Sequence, residues 1–362
     1  MKRILTLAAS ILVIISIGLP MRDRVGNQYV KPITEVIYPK AYAFGDYDNW
    51  RKIIDENPVD DNTIRVINDF AYKTSFLILK ESKKNINYSP LSLYYSLALA
   101  TIGAKAETEM ELLNLLGMPD NQTLSEECGN LYRLLYKDNE IGKLKIANSI
   151  WLGKEINGQP VVFKDTFIEN VVKNLYASSY NVDFPHKETG RTMSNWIAEN
   201  TNGTLIPDIE TNPQQILSII NTVYFYDQWI NRFDKGKTLE DVYLLNEGEV
   251  KVDFMNQIFG SAGFSKETNF TRASLGLKNC GRMVFILPDE GISTYELLSS
   301  PEQIKEIFEE GVEASAFTQI YYAGSAMPEG RADMVLNRPF IYGITESNGS
   351  LLFVGVCMNP LE

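Results

Sequence analysis

Histidine is almost missing from this chain: among 362 residues only His186 is one. That removes the usual general base, and no G-x-S-x-G nucleophile elbow stands in for a hydrolase site. His186 lies in the polar stretch PHKETG and reads as a surface loop residue. Cysteine is equally scarce. Cys128, Cys280 and Cys357 are odd in number and far apart, which excludes both zinc-ligand spacing and a disulfide scaffold. They read as small buried hydrophobes. No phosphate-cradling G-x-x-x-x-G-K-[ST] loop occurs. Asp289 and Glu290 follow Pro288 at the end of an apolar run and read as a turn, not as an acid/base pair. The chain is therefore read as no enzyme, with no metal site and no cofactor.

Positive charge is also in short supply. Lys and Arg total 34 against 46 Asp and Glu, a net charge of −12, and the sequence pI is about 4.8. An acidic chain of this kind is no partner for nucleic acid or an anionic membrane surface. Internal repeats and low-complexity tracts are absent. What remains, 44% hydrophobic and 22% charged residues, is the composition of a globular protein with a real core.

The N-terminus has a secretory pattern. Met1-Lys2-Arg3 precedes an apolar run from Ile4 to Leu19 that Pro20 ends, a charged head followed by a hydrophobic stretch. Residues 1–20 read as a signal peptide or signal anchor. The run is short for a membrane-spanning helix. No small-x-small cleavage site follows it directly, and Ala41-Tyr42-Ala43 fits chemically but far downstream. No cysteine near the run allows lipidation. The expected location is extracellular, either secreted or held at the outer face of the membrane by a tether through residues 4–19. Residues 21–60 form an extension with Pro32 and Pro39 between apolar positions. It reads first as a linker, with docking as an added strand the alternative.

From Asn62 the pattern turns helical, with Ile64, Ile67, Phe70, Ala71, Phe76, Leu77 and Leu79 at one-face spacing. Asn87 to Ser92 breaks the chain, Pro90 suits the first turn of a new helix and Ser89 its cap. The stretch from Ser92 to Met118 reads as helical throughout. Phe163–Tyr176 and the region around Thr192–Thr201 are amphipathic. KIANSIW (Lys145–Trp151), SIINTVYF (Ser218–Phe225), Val242–Met255 and GRMVFILP (Gly281–Pro288) read as strands. The class is α+β with large antiparallel β-sheets and about eight helices.

Near the C-terminus stands EEGVEASAFTQIYYAGSAMP (Glu309–Pro328), followed by two buried strands in NRPFIYGITESNGSLLFVGVCMNP (Asn337–Pro360). The first segment is small, uncharged after its acidic start and free of proline until its end. It is competent to form a strand but short of side chains to anchor one, which is the character of a bait loop.

From about Asn62 to Leu361 the chain resembles a serpin of the kind that bacteria export. The resemblance rests on NYSPLSL with the following GAKAET, KIANSIWLGKE, NVDF, NWIAENTNG, IINTVYFYDQWINRF, ILPDEG, NRPFIYGI and LLFVGV, in this order. It implies a serpin domain at 61–362 with an exposed reactive loop at 309–328, and a suicide mechanism. A serine protease cuts the loop and becomes acylated, and the loop then inserts into the main sheet as a new strand. Carried over by position, the hinge is Glu309, Glu310, Gly311, Val312, Glu313, Ala314, Ser315 and Ala316. Gly311 permits the backbone reversal, and Val312, Ala314 and Ala316 alternate toward the core. Phe317 departs from the small residues expected there.

The reactive bond falls at Ser325-Ala326, with Gly324-Ser325 and Ala326-Met327 as alternatives. A small residue on the acyl side suits an elastase- or subtilisin-like serine protease. Ser89, Ser92 and Asn221 match a polar cluster that controls sheet opening, and Trp229 matches a tryptophan at the top of the same sheet. No glycosaminoglycan partner is expected, since Thr123–Lys143 has no basic stripe.

The chain departs from the family after ILPDEG. STYELLSSPEQIKEIF accounts for one helix and EEGVEAS follows at once, so the histidine on the strand before the hinge is missing. At about 5–6 residues per strand and about 11 per helix, roughly 50–70 residues are absent near Phe308-Glu309. Two strands flanking the insertion slot go with them. The inhibitor reading therefore stands beside a second one: a non-inhibitory binding protein or protease substrate. The chain would alternatively be a deletion variant of an ordinary inhibitor.

Overall fold

The apolar run around Ile150 becomes the longest strand among the described residues, β4 (Lys143–Gly153), buried along most of its length. A computed structural model describes residues 29–34, 36–260, 262–308 and 333–362. The signal segment, the hinge residues Glu309–Ala316 and the reactive bond Ser325-Ala326 lie outside the described residues. The chain divides into two compact units, one with Ile64–Leu91 and Asp227–Glu362 and the other running to Thr63 and from Ser92 to Tyr226.

In the second of these units β4 pairs in parallel with β7 (Ala177–Val182) and antiparallel with β8 (Leu217–Tyr226), while the short β3 (Lys137–Asp138) meets its first residues. The sheet then gains β1 (Val30–Thr34), antiparallel to β7, with Val30 opposite Val182 and a bulge before Thr34. This corrects the linker reading of the extension. Val30 is buried with Trp151, Val182 and Phe184, so apolar burial, not chain connectivity, decided the outcome. Pro32 fits because β1 is an edge strand, where a missing N–H breaks no inner ladder. The extension continues into α1 (Tyr47–Glu56), whose first turn Asp46 caps by accepting from the Asn49 N–H at 3.3 Å.

The helical reading of Ser92–Met118 also needs correction. Two helices occupy it, α3 (Pro90–Gly103) and α4 (Ala106–Leu116), and Ala106 sits at φ 56°. At the end of α3 the ring of Phe167 packs on Gly103, where a Cβ would lie 3.1 Å from it. In α5 (Asn121–Leu135) Leu124, Cys128, Leu131, Tyr132 and Leu135 form the buried face, the 3.6-residue repeat of an amphipathic helix. Tyr95 donates to the Cys128 carbonyl at 2.9 Å, and the Tyr132 ring stacks on Tyr176 at 4.3 Å. The hairpin β5 (Glu155–Ile156) and β6 (Gln159–Pro160) leads to α6 (Asp165–Leu175), and α7 (Lys187–Asn200) follows β7. His186 is the N-cap of α7: its Nδ1 accepts from the Glu188 N–H at 3.2 Å, and its ring stacks on Tyr29 at 3.3 Å.

The other unit is built on a six-stranded antiparallel sheet in the order β11 (Gly263–Lys266), β12 (Phe270–Gly276), β13 (Arg282–Pro288), β14 (Phe340–Thr345), β15 (Leu351–Cys357) and β2 (Ile86–Tyr88). Alternation along β13 sends Val284 and Ile286 to one face and Leu287 to the other, beside Met283 and Phe285. The first face packs on Ala71, Tyr72 and Leu79 of α2 (Asp61–Leu79) and on Ile304, Ile307 and Phe308. The second packs on Tyr243, Val252 and Phe254 of the hairpin β9 (Leu239–Leu244) and β10 (Glu249–Phe254).

The single helix expected from STYELLSSPEQIKEIF is two. A short α8 (Thr294–Leu297) carries a Ser293–Glu296 capping box. A new helix, α9, then covers residues 301–308. Ser300 restarts it by accepting from the Gln303 N–H at 3.2 Å, and Pro301 takes the first position, where its missing N–H costs nothing.

Candidate functional site

The matched residues Asn221 and Ser92 lie in one unit, Ser89 and Trp229 in the other. Asn221 faces Asn148 across the β4–β8 ladder. Its Nδ2 donates to Asn148 Oδ1 at 2.6 Å, and Asn148 Nδ2 donates in turn to the Leu175 carbonyl at 2.6 Å. The relay ends there. Asn221 Oδ1 is buried and has no donor among the described residues, and neither has the neighbouring Thr222 hydroxyl. Buried polar atoms are nearly always paired, and β8 holds two that have no partner among the described residues. Asn148, fully buried, is a member of the site that the sequence reading did not single out. A lone amide inside the apolar KIANSIW was the signal.

β8 is the structural counterpart of that deficit. It pairs with β4 over Leu217–Tyr226. Nine of its ten residues are only half-buried, whereas β4 is buried from Ile146 to Gly153. Over Leu217–Tyr224 the second edge of β8 meets no other strand among the described residues, and such an edge is a template for another strand. Ser149 and Trp151 hold its neighbour in place: the Trp151 indole N–H donates to Ser149 Oγ at 2.9 Å, and its ring stacks on Tyr180 at 4.3 Å.

In the other unit Ser89 Oγ donates to the Leu352 carbonyl at 2.8 Å, anchoring the start of α3 to β15. Ser92 lies one turn on, and its carbonyl accepts from the Ser96 hydroxyl at 3.0 Å. Trp229 follows β8 by three residues and bridges to Leu277, with its ring edge-on to Phe233 at 6.0 Å. The segment that leads to the hinge is the helix 301–308 itself. Ile304, Ile307 and Phe308 are buried, Lys305 reaches Asp69 at 3.3 Å, and the Ile307 carbonyl accepts from the buried Arg272 at 3.3 Å. The chain thus passes directly from a core-packed helix to Glu309, with no strand in between.

Chemistry at the thiols is suppressed. All three cysteines are free and buried, and burial pushes Cys357 up to about 11 and Cys128 higher. Among the described residues no group of His, Cys, Asp and Glu is placed to hold a metal ion. None of their helices is long and apolar enough to cross a membrane.

Solved structures share this architecture. The native state of the thermophilic serpin tengpin superposes with a TM-score of 0.69 at 20% identity, covering 89% of this chain and 97% of that one. The fold is therefore that of a serpin. The sequence model described as Serpin (serine protease inhibitor) matches residues 65–308 and 302–360. The chain belongs to the serpin family, a class that acts on serine proteases without being an enzyme. Among its relatives, a serine protease inhibitor of Mus musculus is 28% identical over 75% of this chain and 68% of its own length. An uncharacterized serpin-like protein of Methanosarcina acetivorans is 30% identical over 56% of this chain and 49% of its own. The chain spans about half of that archaeal relative and about two thirds of the mouse one.

Proposed function

We propose that this chain is an exported serine protease inhibitor whose loop, residues 309–328, is cut at Ser325-Ala326 and then added to the edge of β8. The edge of β8 is the observation that carries the reading: an apolar, half-exposed strand that over Leu217–Tyr224 pairs with β4 alone among the described residues. Glu309–Ala316 would serve as hinge, and the small Ser325 would suit an elastase- or subtilisin-like pocket. Strand addition supplies ladder hydrogen bonds and would bring neighbours to the under-partnered β8. The sheet-opening role of Ser89, Ser92, Asn221 and Trp229 is part of the same proposal.

A second reading has its own support. The hinge leaves directly from the helix 301–308, and the family match breaks into two stretches that meet there. With no second wall to the slot among the described residues, a cut loop would gain partners on one side only, and the protease would be released before it is distorted. Incubation with an elastase- or subtilisin-like protease separates the two. A complex that survives SDS, together with a large rise in melting temperature after loop cleavage, is expected of the inhibitor. Complete cleavage with no SDS-stable complex and an unchanged melting temperature would refute it and leave the chain a protease substrate.

A further inference from the structure

One end of the six-stranded sheet carries a guanidinium that nothing in the serpin mechanism uses. Arg282 opens β13, between Gly276 of β12 and Thr345 of β14. By alternation its side chain leaves the same face as Val284 and Ile286, and cross-strand pairing puts Ser274 and Gly276 on that face too. Farther along, the same face carries Arg272, which is buried and satisfied: it donates to the Ile307 carbonyl at 3.3 Å and lies 3.9 Å from Glu267. Arg282 differs. It is half-buried, yet no hydrogen bond or ion pair to its guanidinium is found among the described residues. A partly desolvated cation without a partner is a costly arrangement. Burial pushes its pKa down from the ordinary guanidinium value, but arginine stays charged at neutral pH.

The space beside it is a cleft of about 460 Å³, a size typical of small-molecule sites. Ile230, Phe259 and Leu275 contribute apolar wall, and Ser274 and Asn231 contribute polar groups beside Arg282. Glycine at 276 keeps the wall open beside Ile230, whose Cδ1 a Cβ there would meet at 2.7 Å. Close backbone pairing also keeps the wall together, the Ile230 N–H donating to the Gly276 carbonyl at 3.0 Å. Phe259 is held by an edge-on contact with Phe233 at 5.5 Å.

We infer that this cleft binds a small organic carboxylate with an apolar body, its carboxylate on the Arg282 fork and its body against Ile230 and Phe259. The planar fork matches a carboxylate bidentately, and the Ser274 hydroxyl and Asn231 amide supply the additional hydrogen bonds. The inference is independent of loop cleavage and would stand if the chain trapped no protease.

The test uses the full chain with 4-fluorobenzoate as probe, followed by fluorine NMR, with 4-fluorobenzamide as the neutral counterpart and inorganic sulfate as a bare anion. Saturable 4-fluorobenzoate binding is expected, with the amide and sulfate each at least about tenfold weaker, equivalent to about 1.4 kcal/mol. Arg282→Gln should lower affinity for the carboxylate about tenfold or more without lowering thermal stability, because the guanidinium it removes has no partner to lose. Arg282→Lys keeps the charge but not the fork, and should fall between the two. Equal binding of acid and amide, binding that survives Arg282→Gln, or no saturation up to about 20 mM would each overturn the assignment. A large loss of stability in both variants with unchanged affinity would do the same, since it would make Arg282 structural.

Discussion

The amide relay under β8 makes an asymmetric prediction. Asn148 holds two partners, the Leu175 carbonyl and the Asn221 amide, and is fully buried. Asn148→Ala removes two hydrogen bonds, each contributing about 0.5–1.5 kcal/mol, and strands two groups at about 1–3 kcal/mol each. Allowing for water that reaches the half-buried Asn221, the loss should be about 3–5 kcal/mol. Asn221→Ala removes one hydrogen bond and strands Asn148 Oδ1, but it also deletes the orphaned Asn221 Oδ1. Those last two changes offset, leaving about 0.5–1.5 kcal/mol.

Urea unfolding followed by both tryptophan fluorescence and circular dichroism measures the difference, provided the two transitions coincide. Asn148→Ala should lie at least about 1.5 kcal/mol below Asn221→Ala. Equal losses would refute the reasoning, because they would mean that Asn221 Oδ1 already has a donor. Repeating the comparison after loop cleavage extends the argument. If the added strand brings that donor, Asn221→Ala should become the more costly change by about 1–3 kcal/mol relative to its uncleaved value.

Two further predictions address local geometry and pH. In α7 the backbone of Gly190 touches Ile209, where a Cβ would sit 2.1 Å from a carbonyl oxygen. Gly190→Ala should therefore destabilise by about 1–3 kcal/mol in thermal unfolding, although alanine is ordinarily preferred in a helix by about 0.5–1 kcal/mol. Gly260→Ala, with open space around the new Cβ, should be neutral, and equal effects would discredit the close approach. Glu296 accepts from the Ser293 N–H at 2.7 Å and from its hydroxyl at 2.9 Å, and these bonds hold its carboxyl below the usual glutamate value. A depressed folded-state pKa contributes stability above the unfolded value and loses it as pH falls through the folded one. Ser293→Ala should raise that carboxyl toward its ordinary value, so a proton titration of Glu296 by NMR should show the midpoint moving up. An unmoved midpoint would rule out the Ser293 hydroxyl as a contributor and leave the backbone N–H, which alanine keeps, as the cause.

Much of the fold was legible residue by residue. Strand runs such as KIANSIW and GRMVFILP are apolar enough to be buried whatever surrounds them, and Pro90 marks a helix start in any context. The helix break after Gly103 was not legible, and Phe167, which packs on Gly103, is distant in sequence. Nor was the docking of Val30, whose pairing with Val182 depends on an edge of β7 that no local pattern announces. Within the site, Asn221 came from the family pattern, while its partner Asn148 emerged only once the register of β4 against β8 was known.

By itself the sequence determined the family, the want of a histidine base and of metal-ligand spacing, the buried state of the three cysteines and the strand-forming composition of Glu309–Pro328. Each of these depends on which residue types are present and in what order. The tertiary structure alone decided that, among the described residues, β8 pairs with β4 alone over Leu217–Tyr224, the relay from Asn221 stops short of a second partner, and Arg282 faces a cleft with no counter-charge. Those are properties of neighbours brought together from distant parts of the chain. A hydrogen-bond deficit or an unpaired charge is defined only by what lies within a few ångströms of it.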